Sequence, residues 1–198
     1  MSNRLAGLVV VLGGALLALN YVFWTGYGLA PDWINVSPGS LAGTLTLLAV
    51  GAGALLLTLG VPTVMARQRR RLGSAGMIGG WLLVAGFLLW ALSTLATLSL
   101  LVLPWWASDL DQIALAIGSV LFGLATLDAG VLPGAAALLL VVGGLVGLLP
   151  TSVPDLLFLG AGIDVSTAPA AVRTLGYVAL VVFGLAWAWL GYAVSQRA

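Results

Sequence analysis

Apolar residues in this chain come in long unbroken runs rather than in the three-and-four spacing of an amphipathic helix or the alternation of a half-buried strand. The runs extend from about Leu5 to Trp24, Ser40 to Met65, Ala75 to Leu103, Asp109 to Leu127, Pro133 to Leu149 and Ala170 to Val194. A helix needs about 20 apolar residues to cross the hydrocarbon core of a bilayer, and backbone that crosses it must satisfy its own hydrogen bonds. The pattern therefore predicts an all-α, polytopic transmembrane helical bundle of six spans in a single domain covering residues 1–198. The fifth run is the shortest, roughly 25 Å as a helix, and should cross with little tilt or where the bilayer thins.

The punctuation between runs fits this division. Arg4 and the first run resemble a signal peptide, but the run continues through Asn20-Tyr21-Val22-Phe23-Trp24 without a small-x-small cleavage site, so a retained span is expected. Ser37-Pro38 suits a helix cap followed by proline in the first turn, and Gly73-Ser74 can end one helix and cap the next. Pro104 stops the third run, Trp105-Trp106 suit the membrane interface, and Ser108-Asp109-Leu110-Asp111 resembles a capping box opening the fourth. Asp128-Ala129-Gly130 is a tight connection, and Leu156-Leu157-Phe158-Leu159, too short to span, is expected on the membrane surface.

Charge then orients the bundle. Four of the seven arginines, Arg67, Arg69, Arg70 and Arg71, fall in one short connection between the second and third runs, and short basic loops stay cytoplasmic. With that anchor inside, Arg4 and Arg197 also fall inside and Arg173 alone falls outside, so both termini are expected to be cytoplasmic. Dropping or adding a span would scramble this bias. The expected location is the cell membrane, with membrane lipids as partners, the arginines meeting anionic headgroups. A net charge of +1 gives no general attraction for nucleic acid, which is not an expected partner.

Composition sharpens the class. A hydrophobic content of 62%, only 7% charged residues and a mean hydropathy of +1.18 lie outside the soluble globular range. The chain contains no Cys, His, Lys or Glu. Disulfides, thiolate or imidazole metal ligation, Schiff-base chemistry and a histidine general base are therefore excluded. Asp109 and Asp111 could in principle hold a divalent ion through oxygen ligands, but carboxylates in a first helical turn are better explained as dipole-favoured caps. Gly160-Ala161-Gly162-Ile163-Asp164 resembles the signature of intramembrane aspartyl proteases only superficially, since that chemistry needs two facing aspartates within the membrane. No catalytic residue, cofactor or metal is expected, and the chain is not expected to be an enzyme.

Two features remain as candidate function. Small residues recur four apart, as in Ala49 and Gly53, Ala114 and Gly118, or Gly143 and Gly147, a spacing that lets helix backbones approach closely. Such faces serve either packing within the bundle or association with a second copy or another membrane protein. Polar residues within the runs concentrate toward the expected outer side, and Asn20, Ser93, Thr94 and Thr97 fall at similar depth on the first and third spans. They are candidates for a polar cavity open to the exterior, with Asp32, Asp109, Asp111, Asp155 and Asp164 at its rim; the competing arrangement has the hydroxyls bonding their own helices and the aspartates solvated. No ionisable group lies mid-span, which disfavours coupled transport. The leading expectation is a non-catalytic accessory or assembly subunit acting through helix packing, and the alternative is a small uncoupled carrier, channel or lipid-binding protein using the outer cavity.

Overall fold

A computed structural model describes residues 3–27, 40–99, 101, 105–148 and 170–196. Among them the structure is entirely helical: α1 (Asn3–Tyr27), α2 (Leu41–Gln68), α3 (Gly73–Leu98), α4 (Trp105–Ala129), α5 (Gly134–Gly143, continued by a π-helical turn Gly144–Leu148) and α6 (Ala170–Gln196). Five helices are long and apolar enough to cross a membrane. Gly134–Gly147 is apolar but shorter.

The helices pack in chain order, each against the next, and α6 returns to pack most extensively of all against α1. The result is a closed ring. Each seam is a place where side chains are missing. Gly13 meets Gly53 between α1 and α2, Gly51 meets Thr94 between α2 and α3, and Gly79 meets Gly118 between α3 and α4. Gly123 lies against Val141, Gly143 against Phe183, and Gly14 against Gly184 to close the ring. Small residues let backbones approach and gain dispersion contacts where apolar burial supplies little drive.

Outward-facing positions carry large aliphatic side chains on every helix, for example Leu12, Leu19, Leu48, Leu59, Leu92, Leu124, Leu138 and Leu185. A helix that is apolar all round cannot rest its outer face in water. Inward, the ring is filled at mid-height by Phe87 of α3, Phe122 of α4, and Phe183 and Trp187 of α6. Trp187 stacks on Phe122 at 6.0 Å and 18° and presents an edge to Phe87 at 5.7 Å and 74°. Its buried Nε1 has no hydrogen-bond partner.

Several boundaries differ from the sequence expectation. Helix α4 begins at Trp105, so Trp105-Trp106 are helical and Asp111 lies in the second turn, beyond the reach of an N-cap. Ser40 is the N-cap of α2, its side chain accepting from the Gly43 N–H at 3.0 Å; Ser37-Pro38 lie outside the described residues. Arg67 belongs to α2, and only Arg69 to Arg71 form the turn itself. No side chain caps α3, whose reversal instead uses Gly73 at φ +64. Gly130, at φ +61, makes the corresponding reversal after α4.

Candidate functional site in the ring interior

The antiparallel order brings the C-terminal part of α1, the C-terminal half of α3 and the N-terminal parts of α4 and α6 to one end of the ring, opposite the arginine turn. Four of these helices send polar or aromatic side chains into that end. Asn20 is buried, seven residues and therefore two turns beyond Gly13 on the same face of α1, and its Oδ1 has no hydrogen-bond partner. Tyr21 packs against the core with its ring 6.3 Å from Trp90 of α3 and 6.3 Å from Tyr177 of α6, nearly parallel to the latter at 23°. Asp111 of α4 is only 2% exposed, and its carboxyl lies within electrostatic reach of the Tyr21 phenol, as does Tyr177. The backbone at Asp111 is held close to α3 at Gly86, where an added Cβ would meet Leu115 Cγ at 2.7 Å and the Asp111 carbonyl oxygen at 3.0 Å.

The groups gathered here are hydrogen-bond acceptors and aromatic faces. A buried amide oxygen and a carboxyl accept hydrogen bonds, and three aromatic faces favour an apolar body or a positive charge. A carboxyl in so apolar a surround is costly to strand, and the Tyr21 phenol within reach of it is a neutral partner.

Of the positions singled out from the sequence, Asn20 and Thr94 are both buried. Thr94 donates its hydroxyl to the Trp90 carbonyl at 2.9 Å and packs in the α2–α3 seam against Gly51, so its polar group is used within its own helix rather than offered to the interior. Thr97 is exposed and donates to Ser93 O at 2.9 Å, while Ser93 is half-buried on the same face of α3. The structure thus separates Ser93 and Thr97, which turn toward the outer surface of α3, from Asn20, which turns inward. Among the expected rim residues only Asp111 has a described side chain, and it is neither a rim group nor a solvated cap. Asp32, Asp155 and Asp164 lie outside the described residues. Sequence reasoning missed Trp90 altogether; the available signal was its position four residues before Thr94, one turn away on the same face.

At the arginine end, Gln68 is buried and donates through Nε2 to Thr126 Oγ1 at 2.8 Å, joining α2 to α4 across the interior. Arg71 donates to the Ala129 carbonyl at 3.5 Å. No group of three or more His, Cys, Asp or Glu side chains stands together as a metal site among the described residues.

Comparison of the chain with protein families, with characterised proteins and with solved structures finds no match. Fold and interior together define the class: an all-helical protein with the outer surface and helix lengths of a membrane protein.

Proposed function

We propose that the chain is a six-span protein of the cell membrane, with both termini and the Arg67–Arg71 turn cytoplasmic, and that it binds a small solute in the outer end of its ring as an uncoupled carrier or binding protein. The observation that carries this reading is the convergence of Asn20, Tyr21, Trp90, Asp111 and Tyr177 from four helices on one interior end, with the Asn20 amide oxygen buried and without a partner. Aromatic faces with nearby acceptors suit a solute carrying N–H donors on an apolar body, such as a small amine.

The sixth span is Gly134–Leu148, about 22 Å as a helix, supported by its packing between α4 and α6 in the ring. The orientation is supported by the arginine bias, with Arg4 at the same end as Arg67 to Arg71. The accessory-subunit reading stands second, because its sequence support was the small-residue faces and these are occupied within the ring at every seam. A partner would have to dock on the aliphatic outer surface instead.

The test is ligand-dependent thermal stabilisation of the purified protein by a panel of small amines and size-matched neutral alcohols. Asn20→Leu is expected to abolish the stabilisation while leaving the melting of the unliganded protein nearly unchanged, since the Asn20 amide oxygen has no hydrogen bond there to lose. Equal stabilisation of variant and wild type, or none of the wild type, rejects the site.

A further inference from the structure

The arginine turn is one wall of a concavity of ≈ 530 Å³, whose lining includes Arg67, Gln68, Arg69, Arg70 and Arg71 from α2 and its turn, and Gly130 from the turn after α4. The α2 and α4 ends that bound it are not neighbours around the ring; they are joined across it by the Gln68–Thr126 hydrogen bond. The concavity is therefore a vestibule between the two turns at this end of the ring, of a size usual for small-molecule sites.

We propose that this vestibule is a binding site for a phosphate-bearing anion, a role independent of the solute site proposed at the opposite end. The guanidinium group presents paired N–H donors in a plane that matches two phosphate oxygens, and four such groups lie within five residues. Asp128, exposed one residue before Ala129, offsets only one of these charges. The roots of the arginines are held in place: Gln68 is 2% exposed and bonded to Thr126, Leu72 is 2% exposed, and Arg71 reaches the Ala129 carbonyl. A site held in advance loses less conformational freedom on binding.

Gln68 supplies the second, independent observation. It lines the vestibule, and its Oε1 is buried with no hydrogen-bond partner. With the carboxamide turned over, the Thr126 hydroxyl donates to Oε1 and the amide N–H₂ becomes the donor for an anion oxygen. Binding of an anion and reversal of this amide thereby remove an orphaned polar atom together.

The shared chemistry is phosphate, free or carried on a lipid headgroup, and the experiment separates the two. The full chain is placed in nanodiscs of phosphatidylcholine at constant ionic strength, and its melting temperature is measured with inorganic phosphate or pyrophosphate replacing chloride. In the second arm the discs contain phosphatidic acid and no free phosphate is added. A rise in the first arm assigns the site to a soluble phosphate, and a rise in the second alone assigns it to a headgroup. The Arg69→Lys, Arg70→Lys double variant keeps the charge that orients the chain but loses the paired donors, and is expected to bind about tenfold more weakly. No rise in either arm, or equal affinity in the lysine variant, overturns the proposal.

Discussion

The α1–α6 seam closes the ring, and Gly14→Ala is the smallest change that probes it. A Cβ at Gly14 would lie 2.5 Å from the Ala188 backbone nitrogen, 2.5 Å from the Gly184 carbonyl oxygen and 3.0 Å from the Trp187 Cβ. Two of the three atoms are backbone, so no side-chain rotation relieves the overlap. The helices must separate by about 1 Å before ordinary contact is restored. Gly7 and Gly191, whose added Cβ atoms would lie 2.6 and 2.7 Å from each other's carbonyl oxygens, share that seam and would lose contact with it. Overpacking of this kind costs about 1–3 kcal/mol, or about 2–12 °C in melting temperature for a chain of this length. Gly176→Ala is the control. It lies on α6, the helix that Gly14 packs against, with nothing within 4 Å of the added Cβ, and in a helix the change from glycine contributes up to about 1 kcal/mol of stability. The assay is thermal unfolding in a mild detergent followed by circular dichroism. A Gly14→Ala protein melting at or above wild type, or a Gly176→Ala protein falling as far as Gly14→Ala, would refute the close-approach argument.

Two further predictions follow from the arginine end. Thr126→Val removes the acceptor for Gln68 Nε2 and leaves a carboxamide whose Oε1 already lacks a partner, so a loss of about 1–2 kcal/mol in detergent unfolding is expected; a neutral or stabilising effect would show that the bond contributes nothing. Arg69 is exposed in a chain without cysteine, so Arg69→Cys in intact cells should react with an impermeant thiol reagent only after permeabilisation, and reaction before it would overturn the proposed orientation.

The helices were legible because their signal is redundant. Twenty or so consecutive Leu, Ala, Val and Gly residues can do little else than form helix, and reversals at Asp128-Ala129-Gly130 follow from a residue that tolerates positive φ. Closure of the ring was not legible, since Gly14 and Gly184 are more than a hundred and fifty residues apart and nothing in either run names its partner. Depth along a helix could be counted, which placed Asn20 level with Ser93 and Thr94; facing could not, because a run that is apolar all round has no periodicity to show its inner side. That is why Thr97 and Thr94 looked alike in the sequence and turn to different surroundings in the structure. The place of Asp111 is hidden for a related reason: the capping-box pattern beginning at Ser108 suggests a helix start, whereas the helix is already under way at Trp105.

A ring whose helices pack in chain order also has a timetable. As a chain is made from its N-terminus, each new helix finds its neighbour already in place, so five of the six contacts can form in the order of synthesis. The sixth cannot. The α1 face bearing Gly7 and Gly14 waits until the last helix arrives, holding a strip of small residues toward lipid for the whole of translation. A chain halted before α6 would therefore expose a surface made for close helix contact, of the kind that pairs with any other small-residue strip within reach.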